Sequence, residues 1–384
     1  MDYRMPSYYG DFVCIADKCP DSCCAGWAIV IDDKTMDKYN AMPGEAGEFV
    51  RTNIDYDNQV FKRCNGKCAF LRDDKLCELI IKTGEDKLCK TCRRYPRHFE
   101  EYGNLVEAAL SMSCPVAAKM IITKKEVDSF LIRHTDKESP HKGEVDYYLL
   151  ESLIQIRRRM FLIMGDRSKT VWQRIESILE LGERIQPLIY EYEGLGLKSK
   201  FKRHRNKILD KITKICDSDI RYRQGLKTTD CQLMKNFIDM LLGLENINQQ
   251  WPEMIENVKE TLYNNLTSDQ YKDLKTEFDE YMKDREYEYE HIVVYFLYTY
   301  FFGGVYDYNV QAMVKMSVIS TLIIREIGFA WWLSKGKEFT VNDNVKVAYL
   351  FSRQLEHSDE NLMSLEGLLV AHPVFSIDNI FRVI

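Results

Sequence analysis

Absences narrow this chain first. No apolar run reaches the roughly 20 residues needed to cross a bilayer. The most hydrophobic stretch, Ile292 to Tyr306, is shorter and carries several tyrosines, so it reads as a buried helix. Neither charge dominates: 53 lysines and arginines against 59 aspartates and glutamates leave a formal net charge of −6. That balance is too mild and too mixed for a general grip on nucleic acid, and it gives no reason to expect membrane insertion. The opening residues, MDYRMPSYYGDF, have neither the cationic start nor the apolar run of a secretory signal, and a cytoplasmic setting is expected. No Gly-rich G-x-G turn follows a clear strand, which removes the common nucleotide-binding α/β sheet. No fixed-period repeat or long low-complexity tract occurs either. With 384 residues, 45% of them hydrophobic, there is enough apolar surface for more than one packed unit.

What is abundant is cysteine, and it is crowded. Ten of the twelve, Cys14, Cys19, Cys23, Cys24, Cys64, Cys68, Cys77, Cys89, Cys92 and Cys114, fall in the first 114 residues, leaving Cys216 and Cys231 beyond. In a reducing cytosol clustered thiols hold a metal or an iron–sulfur cluster more often than they form disulfides. Cys19 to Cys23 is a C-x-x-x-C. Cys89-Lys-Thr-Cys92 is a C-x-x-C, the shortest loop that lets two thiolates reach one centre from the same turn. Adjacent Cys23 and Cys24 can hardly both serve one tetrahedral ion without strain. Cys68, Cys77 and Cys114 add candidates, with Cys64 less firmly placed, whereas isolated Cys14, Cys216 and Cys231 read as small buried hydrophobes. All-sulfur ligation suits zinc and an iron–sulfur cluster alike, and spacing leaves both open.

The expected fold is mainly α: a cysteine-rich N-terminal metal- or cluster-binding region with a small β-hairpin, residues 1–124, then a helical bundle, residues 125–384. The hairpin centres on Gly103-Asn104, flanked by RHFEEY and LVEAALSMS, and brings Cys92 and Cys114 toward one end of its ribbon. Trp27 to Asp32 reads as a short strand or a helix entry. Short helices are expected from Cys77 and from Pro115. After about residue 125 strand signals nearly vanish. Apolar residues then recur at three or four within Ser152–Met164, Trp172–Leu181, Lys207–Ile215, Leu233–Leu242, Glu253–Tyr263, Ser268–Lys283, Glu288–Phe302, Asn309–Gly328 and Asn342–Glu356. The basic stretch Lys198 to Arg205 and the acidic stretch Glu277 to Glu290 read as solvated faces. Along the segment from His291, the residues Tyr295, Tyr298 and Phe302 form one stripe, opposite an equally apolar one. Such a helix is buried all round, or it lines an aromatic pocket for a cation with Glu290 and Asp307 at its ends.

The blocks CPDSCCAGWAIVID, LCKTCRRYPR, SCPVAA, YEHIVVYFLYTYFFGGVYDYN and SRQLEHSDENL resemble the flagellin lysine-N-methylase family, from about residue 8 to about residue 365. The resemblance implies a bacterial cytoplasmic enzyme that moves methyl groups from S-adenosylmethionine to lysines of flagellin and carries a [4Fe–4S] cluster. Carried over position by position, Cys19, Cys23, Cys24, Cys68, Cys77, Cys89, Cys92 and Cys114 match the family's cysteines.

Chemistry supplies the remaining candidates. A lysine amine attacks a sulfonium methyl only when neutral, and with a reference pKa near 10.4 that form costs roughly 4 kcal/mol at neutral pH. An aromatic pocket disfavours the ammonium and a nearby acceptor takes its proton, which points to Tyr306, Asp307 and Tyr308 as catalytic groups. Tyr295 and Tyr298 offer ring faces to the donor, and Arg353, Glu356 and His357, at helical spacing, are assigned to cofactor or substrate contact; a salt-bridged surface helix is the plain alternative. The C-x-x-x-C-C spacing departs from the C-x-x-x-C-x-x-C of radical S-adenosylmethionine enzymes, so polar methyl transfer is expected. The competing reading is a non-catalytic metal-binding adaptor or redox sensor.

Overall fold

The hairpin around Gly103-Asn104 forms the middle of a small sheet. The computed structural model describes residues 1–136, 139, 145–196, 199–220, 228–247 and 249–384. Its sheet contains β1 (Asp2–Pro6), β2 (Arg97–Tyr102), β3 (Leu105–Leu110) and β4 (Phe130–His134) in the order β2-β3-β1-β4. β2 and β3 are antiparallel, with Arg97 opposite Leu110 and Tyr102 opposite Leu105. Gly103 turns the chain at φ +60, a backbone conformation that suits glycine, with the Tyr147 hydroxyl close against it. Every residue of β3 is buried, including Glu107, whose carboxylate Arg157 clamps at 2.5 and 2.6 Å while Arg4 reaches it at 3.3 Å.

β1 and β4 differ from the expectation. β1 runs parallel to β3 and antiparallel to β4. Its sequence DYRMP has no alternation and ends in proline, while β4 is a five-residue exposed edge after residue 125, where no strand was expected. Both are held by ladder pairing more than by a buried face, so neither carries a hydrophobic period. Residues 27–32 form neither element outright: Val30 makes one isolated bridge to Val60, and Asp32 caps the helix Asp33–Asn40 through its side chain.

The rest of the chain is mainly helical, as its apolar periodicity requires. The helices that matter for the site are α1 (Pro115–Ile122), α2 (Tyr147–Met164), α3 (Val171–Leu195), α4 (Glu286–Tyr300), α5 (Val310–Ser334), α6 (Val341–Glu356) and α7 (Asp359–Ala371). Each helix segment read from the sequence lies within or across one of the helices observed; Glu253–Tyr263 passes from an α-helix into a π-helical turn at Lys259–Asn264, and Ser268–Lys283 and Glu288–Phe302 end in 3-10 turns at Lys283–Arg285 and Phe301–Gly303. Thr170 with Gln173 and Thr340 with Asp343 cap α3 and α6 reciprocally. In α4 every residue from Glu288 to Tyr298 is buried, and α5 packs against α3, α4, α6 and α7. Among the described residues no helix is long and apolar enough to cross a membrane.

Three clusters of buried side chains result. The largest gathers the sheet's Tyr102 and Leu105 with α1 and the helices beyond. A smaller one, built on Ile31, Tyr39, Val50, Phe61 and Phe70, belongs to the cysteine-rich head, residues 29–92, whose helices are short and whose ribbons are two residues long. Phe12, Leu110, Cys114 and Ala117 form the third, where the segment after β1 meets the end of β3 and the start of α1.

The acidic stretch is not simply a solvated face. Glu288 and Glu290 are buried, Glu288 against Arg285 and Glu290 against Arg167 and Arg174, because the chain turns into the core at α4. With both oxygens taken by arginines, Glu290 is not free to meet an external cation. Of the basic stretch, Lys198 lies outside the described residues.

Candidate functional site

The eight cysteines with the strongest spacing come within electrostatic reach of one another. Burial raises the Cys68 and Cys114 thiols to about 11, Cys68 being raised further by Cys77, Cys89 and Cys23, and Cys114 by Cys19 and Cys23. Cys77 and Cys19 are raised, first by burial. Cys23 is raised by its hydrogen bond to Cys24 and then by burial; Cys92 is raised by its bond to Cys89, and Cys89 is lowered by the same bond. Thiolates gathered this way repel, and a cation among them offsets the repulsion at every member. The donor set suits a soft metal or an iron–sulfur cluster, although among the described residues no group of three His, Cys, Asp or Glu side chains is already arranged to hold an ion. Cys216 is buried as expected; Cys14 is exposed, on a loop outside any core, and Cys231 is half-buried with its thiol 3.5 Å from the Ser268 hydroxyl.

Beside this thiol cluster, where head, β2 and the end of α6 meet, lies a cleft of 450 Å³ whose walls include Trp27, Tyr95, His98, Phe99, Glu356 and His357. Trp27 follows the C-x-x-x-C-C loop directly, and its indole N–H is fixed by the Cys23 carbonyl at 2.8 Å. The Trp27 and His357 rings lie 4.7 Å apart, and Tyr95 stands 5.9 Å from each. Three rings thus frame one corner of the cleft. Burial and then Arg353 bring the His357 imidazole down to about 3, so it is neutral at physiological pH.

Glu356 is held by hydroxyls, not by cations. Tyr295 donates to Oε1 at 2.7 Å and Tyr300 at 3.0 Å; Ser111 donates to Oε2 at 2.9 Å, and Ser352 donates to the same oxygen. Tyr295 also accepts the Met112 N–H at 3.0 Å, fastening α4 to the strand end. Arg353, one turn earlier, is buried: Nε donates to the Ser113 carbonyl at 2.9 Å and Nη1 pairs with Asp21 at 2.7 Å. Asp21 lies between Cys19 and Cys23, so α6 grips the thiol-rich loop itself. These contacts are inside the molecule, unlike those of a salt-bridged surface helix.

The remaining sequence candidates lie elsewhere. Tyr298 donates to the carbonyls of Arg4 and Ala108, within the sheet and outside the cleft. Tyr306 is exposed at the far tip of the hairpin, stacked on Tyr102 and 3.3 Å from the Glu101 carbonyl. The length of β2, about 17 Å at ~3.4 Å per residue, separates that tip from the base at Arg97. Asp307 accepts the Asn309 N–H at 2.7 Å and, by hydrogen bonding, helps raise Glu366 to about 7, after burial. Tyr308, at φ +61, ends the short helix Gly304–Asp307 and accepts from Gln186 through its carbonyl. The structure therefore brings Tyr295, Arg353, Glu356 and His357 together and leaves Tyr298, Tyr306, Asp307 and Tyr308 apart from them. Sequence reasoning missed Trp27, Tyr95, Ser111, Ser113 and Asp21 as site residues. Their signal was position, each within four residues of a clustered cysteine.

Comparison with known proteins gives this architecture a family. The family described as the FliB lysine N-methylase C-terminal domain matches residues 157–383. The flagellar biosynthetic protein FliU of Salmonella muenchen is 32% identical over 130 residues, 30% of this chain and 75% of that protein. Lysine-N-methylases of Salmonella choleraesuis and Salmonella typhimurium are 29% and 28% identical over 152 residues, 35% of this chain and 37% of each relative, so the match spans little more than a third of their length. No solved structure matches this chain. The chain belongs to the FliB lysine N-methylase family.

Proposed function

We propose that this protein transfers methyl groups from S-adenosylmethionine to lysine side chains of flagellin in the cleft between head and body, in the cytoplasm, by polar displacement. The observation that carries the reading is the corner formed by Trp27, Tyr95 and His357 beside Glu356, at the junction of the thiol cluster with a body of the lysine N-methylase family. Both reactants are cationic before reaction, one a sulfonium and the other an ammonium. Aromatic faces attract the sulfonium, which has no proton to lose, without hydrating it, at about 0.5–2 kcal/mol per contact. Lys90, Arg94 and Arg97 on the same wall suit the carboxylate of the donor. Exclusion of water by Trp27 and Tyr95 favours the neutral amine, the nucleophilic form.

In this reading four of Cys19, Cys23, Cys24, Cys68, Cys77, Cys89, Cys92 and Cys114 supply the ligands of a [4Fe–4S] cluster, with zinc as the alternative centre. When bound, the centre supplies folding energy to the head and neutralises thiolate charge. Trp27 and Asp21 belong to the same loop, so a head held in shape holds one wall of the cleft. Mass spectrometry of flagellin incubated with the protein and S-adenosylmethionine is the test: mass gains of one or more methyl groups on lysine are expected, and unmodified flagellin with an intact, metal-loaded protein would refute the assignment. Metal analysis of anaerobically purified protein separately distinguishes iron from zinc.

A further inference from the structure

Between His357 and Glu356 runs a line of hydroxyls with a fixed direction. Ser111 Oγ donates to Glu356 Oε2 at 2.9 Å, the Ser111 and Ser113 hydroxyl oxygens are 2.6 Å apart, and Ser113 Oγ lies 2.9 Å from His357 Nε2. A carboxylate has no proton to give, so it sets the polarity of everything upstream. Ser111 gives its proton to Glu356 and accepts from Ser113, and Ser113 accepts from His357 Nε2–H. The imidazole is left with a bare Nδ1, buried and without a hydrogen-bond partner among the described residues. Its ring sits in the aromatic corner of the cleft.

We propose that this line is a proton relay that deprotonates the substrate lysine, with His357 as the catalytic residue and Ser111 and Ser113 as positioning residues; it rests on the reading of the cleft as the methyl-transfer site. An ammonium N–H bond breaks as Nδ1–H forms. The Nε2 proton passes to Ser113, the Ser113 proton to Ser111, and the Ser111 proton to Glu356 Oε2. At the end Glu356 is a carboxylic acid, His357 is neutral in its other tautomer, and the lysine holds the lone pair that attacks the sulfonium methyl. No further reactant is consumed. Because the imidazole passes a proton on as it takes one, it need not persist as an imidazolium beside Arg353. The other charged or titratable groups near this line include Arg353 on α6, Tyr295 and Tyr300 on α4, Tyr95 just after the head, and His98 on β2 with Glu100 and Asp359 beside it.

The test is the pH dependence of kcat/KM for the full chain with flagellin and S-adenosylmethionine. Ser111→Ala interrupts the line but leaves both ends, and a loss of about 10²-fold near neutral pH is expected. The loss should close as pH nears the lysine's own pKa of about 10.4, where the amine is neutral unaided. Ser111→Thr, which keeps the hydroxyl, should restore the neutral-pH rate. A loss of equal size at neutral and alkaline pH, or no loss, would overturn the relay while leaving methylation standing; a wild-type protein that methylates nothing removes the parent reading and the relay together. Nitrogen NMR of His357 in the wild-type protein needs neither turnover nor a folded variant. A proton on Nε2 and none on Nδ1 at neutral pH is the expected state, and the reverse tautomer would overturn the direction of the line.

Discussion

The head, residues 29–92, and the helical body reach a folded state by unequal means. The body buries Phe237, Phe296, Ile323 and Trp332 in one continuous cluster and caps its long helices reciprocally. The head has a handful of large apolar side chains and two-residue ribbons, and with the segments that flank it gathers eight neighbouring thiols. A core that small leaves little stability once chain entropy is set against it, and small units of this kind commonly depend on a metal. The family match covers 157–383, the part whose fold rests on ordinary hydrophobic burial. The difference teaches that one region is built for stability on its own terms and the other for the chemistry of its ligands.

The comparison breaks most visibly at the proposed metal centre. Chelation under anaerobic, reducing conditions should take on the order of 10 kcal/mol of folding free energy from the head while far-ultraviolet circular dichroism of the body changes little. A single transition that melts both would show the body to depend on the head. Next in size, Arg157→Ala leaves buried Glu107 with only Arg4 at 3.3 Å, and should cost about 3–5 kcal/mol in urea unfolding of the body. Acid sharpens the contrast from the cleft. His357 has an ordinary pKa of about 6.5 and is held down to about 3 in the folded protein. Between those values the unfolded chain binds the proton and the folded chain does not. Stability therefore falls as pH drops through that window, by at most about 1.4 kcal/mol per unit, and is insensitive to this group above it. His357→Gln should remove that slope from urea midpoints measured across the window. Smallest, Trp27→Ala should raise KM for the donor or the lysine substrate about fivefold, near 1 kcal/mol, with little change in melting temperature; an unchanged KM would place the cation elsewhere.

Much of this organisation was legible in the sequence, for reasons that differ by region. Helix α4 could be read as buried on every side because Val294, Leu297 and Phe301 face opposite Tyr295 and Tyr298, and the hairpin because Gly103-Asn104 is a turn signal between RHFEEY and LVEAALSMS. β1 and β4 were hidden, since DYRMP and FLIRH owe their state to partners a hundred residues away and not to any period of their own. In the site, Arg353, Glu356 and His357 were visible as a polar group at helical spacing. Ser111 and Ser113 were marked only by their nearness to Cys114: serines carry no charge and no period of their own, and the return of α6 to the hairpin base is what gives them a role. The tyrosine–aspartate group at 306–308 was attractive for its acid–base chemistry, but local chemistry does not reveal which end of a hairpin a residue will meet.

One feature bears on how such proteins can be rearranged. The cleft takes Trp27 and Tyr95 from before the sheet and Glu356 and His357 from the far end of the helical region. A chimera joining the front of one homologue to the back of another would inherit mismatched jaws: Asp21 must still find Arg353, and the indole must still find the imidazole. Exchange of modules across this seam therefore succeeds only when both halves travel together.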